Sequence, residues 1–317
     1  MTIWKNLGLL FSSRDIKRID KDLCFAKSPQ AIVKENSVVF YFTSQMKDQE
    51  NKWIARPYWV EFDKNLTSIL NYSSECILGV GDLGTFDEHG IFPFSVTPKD
   101  DGYIAYTTGW SRRSSVDVDI SIGLASSLDG DLFQRCYPGP IMASSYREPF
   151  MVGDAFVRKF NGQWYMWYIF GDSWHVNPKE PTPQRQYKIS QATSDDGINW
   201  SRSGQYIITD VRKEECQALP SVAFYRGKYH MVFCHREIFD FRAGGEKAYK
   251  LGYAYSSDLV SWIRDDSFLS GINSNEDWDH EMQCYPNVFI LNDELYCVYN
   301  GNNFGENGFG FAKLDLK

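Results

Sequence analysis

Short runs of aromatic and β-branched residues, separated by turn formers, recur along this chain in pairs. Ala31–Val33 leads through Glu35-Asn36 to Val38–Phe42, and Phe94–Val96 leads through Asp101-Gly102 to Tyr103–Tyr106. Phe150–Val152 leads through Asn161-Gly162 to Trp164–Tyr168, and Ser221–Tyr225 through Arg226-Gly227 to Tyr229–Phe233. The last pair is Asn287–Ile290, Asn292-Asp293 and Leu295–Tyr299. Such runs flanking residues that tolerate positive φ predict five β-hairpins. A third run with its own turn follows in Gly123–Gly130, Ile189–Gly197 and Leu251–Asp258. An aromatic residue (Phe133, Trp200 or Trp262) then opens a fourth. Each unit therefore reads as a four-stranded antiparallel sheet.

A proline precedes each hairpin: Pro29, Pro93, Pro149, Pro220 and Pro286. They recur at intervals of roughly 55 to 70 residues, the period of a repeat architecture. Two of the surrounding motifs match closely: Glu215-Cys-Gln-Ala-Leu-Pro-Ser-Val222 and Glu281-Met-Gln-Cys-Tyr-Pro-Asn-Val288. Five such units predict an all-β fold, a five-bladed β-propeller of four-stranded antiparallel blades, in one domain over residues 1–317. The fifth unit stops after its third strand, and Trp4–Phe11 looks like the missing fourth. The N-terminal strand is therefore expected to close the last blade. The segments 177–183 and 239–248 occupy equivalent places in neighbouring units and are expected to be loops over one face.

Composition narrows the possibilities. With 317 residues, 43% of them hydrophobic and 16% aromatic, the chain can bury a large core. A net charge of −8 without a Lys/Arg-rich block argues against nucleic acid as a partner. No apolar run reaches the roughly 20 residues of a membrane span, and the N-terminus lacks the pattern of a signal peptide. Seven cysteines without a CxxC pair suit reduced thiols in a cytoplasmic protein. No nucleotide-binding fingerprint, metal-ligand motif or nucleophile elbow is legible, so neither a cofactor nor a metal is expected.

In a propeller the residues just before each inner strand converge on one axis. That brings together Ser28 with Gln30, Asp87 with Glu88, Arg147 with Glu148, Glu215 with Gln217, and Glu281 with Gln283. Crowded carboxylates repel, and some then titrate high enough to serve as acids. Cleavage of a glycosidic bond uses such a pair of carboxyls. Arg56, Arg147 and Arg236 suit phosphate or a nucleotide-sugar diphosphate, because guanidinium matches oxyanion geometry. Trp174 and His175 are placed to stack on a sugar ring, and His235 to face the funnel.

These motifs resemble those of the five-bladed propeller glycosidases: arabinanases and xylosidases, invertases and levansucrases, and mannoside phosphorylases. Arg147-Glu148-Pro149 resembles the Arg-Asp-Pro of the invertase group, which implies that Glu148 stabilises the transition state. Glu215-Cys216 resembles that group's Glu-Cys and implies that Glu215 is the general acid. The glycosidases place an aspartate where this chain has Ser28, so the activity would need another base (Asp87, Glu88 or Glu281, with Glu281 or Asp87 preferred) or a nucleophile that needs no base, such as phosphate. A closer likeness is to intracellular propellers of surface-polysaccharide biosynthesis loci, carried by Gly84–Glu88, Cys284–Val288, Tyr299–Asn302 and Gly308–Gly310. The resemblance implies a carbohydrate-active enzyme working on a glycosidic or sugar-phosphate linkage. Its alternatives are a sugar transferase or phosphorylase and a non-catalytic sugar-binding propeller.

Overall fold

The computed structural model describes residues 4–273 and 278–315. Strand β1 (Trp4–Ser12) and the two-turn helix α1 (Ser13–Ile19) open the chain. Ser12 and Asp15 cap α1 reciprocally, which satisfies two of its free N–H groups. Four strands follow: β2 (Cys24–Val33), β3 (Ser37–Lys47), β4 (Trp53–Asp63) and β5 (Ile69–Tyr72). The next group is β6 (Gly90–Lys99), β7 (Gly102–Arg112), β8 (Val118–Ser127) and β9 (Gln134–Arg135). The third is β10 (Val152–Phe160), β11 (Gln163–His175), β12 (Gln184–Ser194) and β13 (Ser201–Arg202). The fourth is β14 (Cys216–Tyr225), β15 (Lys228–Arg236), β16 (Lys250–Ser256) and β17 (Ile263–Arg264). Last come β18 (Cys284–Leu291), β19 (Glu294–Asn300) and β20 (Gly308–Leu314).

Within each group successive strands pair antiparallel. A single parallel bridge, Ala55 to Gly90, joins the first two groups into one eight-stranded sheet. The N-terminal strand β1 pairs antiparallel with β20 and completes a four-stranded sheet with β18 and β19, as the sequence led us to expect. Among the described residues no sheet closes on itself. The first strands nevertheless touch in cyclic order: β2 against β6, β6 against β10, β10 against β14, β14 against β18, and β18 against β2. No helix among the described residues is long and apolar enough to cross a membrane.

The hairpin turns fall where the sequence puts them. Arg226-Gly227, Asn161-Gly162 and Asn292-Asp293 each hold two consecutive positive φ angles, the conformation that matches the twist of the flanking strands. Buried aromatic side chains fill the space between sheets: Phe40 meets Phe289 and Phe309, and Trp167 meets Trp262. The tryptophans expected to pack, Trp164 and Trp167, are buried, and Trp200 and Trp262 lie against the cores they border.

Every first strand carries the same defect. The ladder skips at Ser28-Pro29, Phe92-Pro93, Asp154-Ala155, Leu219-Pro220 and Tyr285-Pro286, where two residues face one on the neighbouring strand. Such bulges bend a strand and re-aim a side chain. Four of the first bulge residues, Ser28, Asp154, Leu219 and Tyr285, have φ between 49° and 57°. Proline suits the second position because its missing N–H costs nothing at a break in the ladder. The third unit departs from the sequence reading here. Its repeat equivalent is Ala155, not Pro149, which lies before β10. Neighbouring groups satisfy some of the freed amides: Asn300 accepts the Ser28 N–H at 2.8 Å, and Thr108 accepts that of Asp154 at 2.8 Å.

Candidate functional site

Four of the five bulge residues, Phe92, Asp154, Leu219 and Tyr285, line a cavity of about 460 Å³. Lys27 does so beside the fifth, Ser28, so all five first strands contribute. Ser28 itself is buried, and its hydroxyl has no partner among the described residues. Aromatic rings form much of the wall, among them Trp53, Trp110, Tyr187, Phe241, Tyr249 and Phe304. The charged residues are Lys27, Asp117, Asp154, Arg185, Arg236 and Arg242.

Asp154 is the buried acid of this cavity, 8% exposed. Burial pushes its carboxyl up to about 7, against the opposing pull of Arg185 and the Leu219 N–H. Lys27 lies at the start of the bulge in β2 and donates to Gln45 Oε1 at 2.7 Å. Burial lowers its ammonium to about 8, and the nearby Arg242 pushes in the same direction. The Arg185 and Arg242 guanidiniums have no acceptor among the described residues. Arg236 differs. Its Nε–H is shared between the hydroxyls of Tyr187 (3.0 Å) and Tyr249 (3.2 Å). Its Nη1 donates to the carbonyls of Glu237 and Ile238.

The carboxylates singled out in the sequence are held elsewhere. Glu148 is fully buried, accepts from the Tyr168 hydroxyl at 2.5 Å and pairs with Arg202 at 2.6 Å. Glu215, also fully buried, pairs with Arg264 at 2.6 Å and has His235 Nδ1 at 3.5 Å. Asp87 accepts from Arg135 Nε at 2.7 Å and from the Thr85 hydroxyl at 3.1 Å. In each case an acid before the first strand of a group meets the arginine on its short fourth strand. The pair clamps the inner and outer edges of one sheet. The fifth group reaches the same end with Asp279, which accepts from the Tyr299 hydroxyl at 2.6 Å and faces Asn6 of β1. Glu281 is half-exposed beside His280, at 3.6 Å. None of these four candidate carboxylates, Asp87, Glu148, Glu215 and Glu281, lines the cavity. The expected convergence on one axis is corrected accordingly: Asp87, Glu148 and Glu215 pair with arginines, Glu281 is half-exposed, and the first strands reach the cavity through residues at their bulges.

Most of the expected binding residues are likewise committed to structure. Gln30 and Asn287 bond at 3.0 Å between adjacent first strands. Gln217 donates to Glu215 Oε1 and Asp210 Oδ1, and Gln283 donates to the Asp279 carbonyl. Glu88 accepts from the Gly84 N–H and pairs with His89 at 3.4 Å. Arg147 is exposed over the Tyr146 ring, at 5.2 Å. His175 is held by Ser173 and Gln186, and Trp174 is half-buried outside the cavity lining. His235 is buried, and burial lowers its imidazole to about 4. Of the residues proposed from sequence, Arg236 alone lines the cavity.

Sequence reasoning missed Asp154, Arg185, Tyr187, Tyr249 and Arg242. The signal for Asp154 was the distance to the hairpin. Ala155 precedes Asn161-Gly162 by the interval at which Pro220 precedes Arg226-Gly227 and Pro286 precedes Asn292-Asp293. Counting back from the turn, rather than matching prolines, selects Asp154.

No family model matches the chain. Among solved structures, β-1,2-mannobiose phosphorylase from Listeria innocua, in complex with β-1,2-mannobiose, superposes with a TM-score of 0.68 at 12% identity. The match covers 99% of this chain and 96% of that one. A glycoside hydrolase gives a TM-score of 0.67 at 14% identity over 96% of both proteins. A thermostable family-43 glycoside hydrolase gives 0.60 at 15% identity over 92% of this chain and 90% of that one. The chain thus has the fold of the glycosidase-like propeller superfamily. In sequence it is 32% identical over 249 residues to two Mycobacterium tuberculosis proteins, Uncharacterized protein Rv1502 and Uncharacterized protein MT1551. The alignments cover 78% of this chain and 79% of each relative. The chain belongs to the family of these mycobacterial proteins.

Proposed function

We propose that this protein is a five-bladed propeller of one domain that transfers glycosyl groups between a glycosidic oxygen and phosphate. The cyclic contact of five first strands, each opening a four-stranded group, supports the blade count. One observation carries the chemistry: the cavity pairs a buried, protonatable carboxyl, Asp154, with cations that form no ion pair of their own among the described residues. Protonated near neutral pH, Asp154 gives its proton to the leaving glycosidic oxygen as the C–O bond breaks. A phosphate oxygen held by Arg185 attacks the anomeric carbon, and the proton that the phosphate sheds restores the carboxyl. The products are a sugar 1-phosphate and a free sugar hydroxyl. No general base is needed, because phosphate is already a nucleophile. That removes the difficulty posed by Ser28 in place of an aspartate. The aromatic walls suit the apolar faces of sugar rings.

The same cations suit the diphosphate of a nucleotide sugar, which keeps a transferase role in surface-polysaccharide assembly within the proposal. The free state of all seven cysteines supports a reducing compartment and a cytoplasmic location. Hydrolysis is the second reading, favoured by Asp117, which shares the cavity with Asp154 and would act as the base. The test is turnover of a disaccharide panel with and without inorganic phosphate, followed by ³¹P NMR. We expect sugar 1-phosphate to form with phosphate only, and its formation to be lost in Asp154→Asn and Arg185→Ala. Release of free sugar at the same rate without phosphate overturns phosphorolysis in favour of hydrolysis. Disaccharide binding without turnover leaves a sugar-binding propeller.

A further inference from the structure

Arg236, Tyr187 and Tyr249 form a unit in the cavity wall to which the chemistry above gives no role. The two phenolic oxygens lie 2.5 Å apart, and the Arg236 Nε–H points at both. Tyr187 lies on β12 two residues after Arg185, so both side chains leave the same face of that strand. Asp154 feels the charge of Arg185 directly. The acid, the cation and the tyrosine pair therefore share one side of the cavity.

The hydrogen-bond accounting leaves one donor over. Two tyrosines bring two O–H protons. One is spent between the rings, because one hydroxyl donates to the other. Arg236 is a donor only and takes neither proton. The hydroxyl that accepts must send its own proton elsewhere, and no further acceptor stands within reach among the described residues. Buried polar hydrogens are rarely left without a partner. Burial raises both phenols above their ordinary range, so both keep their protons at neutral pH.

We propose that Tyr187, Tyr249 and Arg236 form an oxyanion-binding unit whose one uncommitted phenolic O–H is donated to the phosphate beside Asp154. Arg236 is the positioning residue: its fixed N–H locks both oxygens as acceptors, and so frees one O–H to face the ligand. The two oxygens are close enough for either to reach the same acceptor. The donor thus belongs to the pair, not to one ring. This inference rests on the phosphate-dependent reading of the site.

Sharing gives the test its signature. In Tyr187→Phe or Tyr249→Phe the surviving hydroxyl still receives the Arg236 N–H and has its own proton to donate. In the double variant no donor remains. Inorganic phosphate is the probe, with affinity read by titration calorimetry on the intact protein. We expect each single variant to bind within about threefold of wild type, and the double variant to bind roughly 10- to 100-fold more weakly, the effect of one hydrogen bond to a charged group. Thermal melts accompany each titration, so that a loss of fold is seen as such. Double-variant binding within twofold of wild type, with Arg185→Ala abolishing it, overturns the unit and leaves the phosphate reading standing. A single variant that loses as much as the double overturns the shared donor. Failure of the wild-type protein to bind phosphate overturns both.

Discussion

Two sets of buried acids in this molecule have opposite fates. Asp87, Glu148 and Glu215 sit at the start of their sheets, each against an arginine on its sheet's outer strand. Asp154 sits two residues into its strand, on a bulge that turns it into the cavity. There the opposing charge of Arg185 does not outweigh burial. Burial alone does not mark a catalytic acid. What separates the sets is whether the ionised form is compensated. A carboxylate paired with an arginine holds the fold, whereas a buried one with too little compensation keeps a proton near neutral pH and can give it away. The bulge makes the difference, because it moves the side chain from the sheet edge, where an arginine pairs with it, into the cavity, where burial outweighs the pull of Arg185.

The largest effect that tests this contrast is loss of a clamp. Arg264→Ala leaves Glu215 buried and unpaired, and should cost about 3–5 kcal/mol in urea unfolding. Arg202→Ala should do the same to Glu148. A loss below about 1 kcal/mol at both sites would show that the clamps are ornamental and that the acids are free for another role.

Asp154→Asn should act in the other direction. A carboxyl whose folded value is raised holds a proton that the unfolded chain releases. Its cost is absent below pH 4, grows as pH rises towards about 7, and is constant above. The asparagine variant should therefore be more stable than wild type at pH 8, by a few kcal/mol at most, with the advantage vanishing near pH 4. His235, in the clamp region, has the opposite sign. Its folded value lies below the ordinary one, so its contribution is present at neutral pH and lost as pH falls from about 6.5 to 4. His235→Gln should flatten that part of the stability–pH curve, while Asp154→Asn flattens the rise between pH 4 and 7.

The architecture was legible because it is written in local grammar. Turn pairs such as Arg226-Gly227, aromatic runs, and the aromatic residue before each short fourth strand all signal the strand they bound. The partnership of β1 with β20 followed from counting strands in the last unit. The site was not legible, because a conspicuous motif was a structural one. Of the two matching Glu-x-Gln-x-x-Pro motifs, the one at Glu215 holds the edge of its sheet, whereas in the fifth unit Asp279 does so and Glu281 is left half-exposed. Proline marks the bulge in four units, and its replacement by Ala155 hid the third and Asp154 with it. Arg185 stands on β12, two strands removed from the axis, and Tyr249 immediately precedes β16, the corresponding strand of the next group. Only the tertiary arrangement brings them to the cavity.

The smallest expected effect falls on Glu281, which repeats the motif of Glu215 without its setting. Its side chain is 54% exposed. Glu281→Ala should change stability by less than about 0.5 kcal/mol and leave phosphate binding unchanged. A loss of turnover in this variant would return Glu281 to the site.

The proton of Asp154 decides most directly between a catalytic and a structural acid. The carboxyl band assigned by infrared difference between wild type and Asp154→Asn, followed from pH 4 to pH 9, measures it. A protonated carboxyl that titrates with a midpoint near pH 7 is the result expected here. A carboxylate already ionised at pH 5 would contradict it and leave the cavity without an acid.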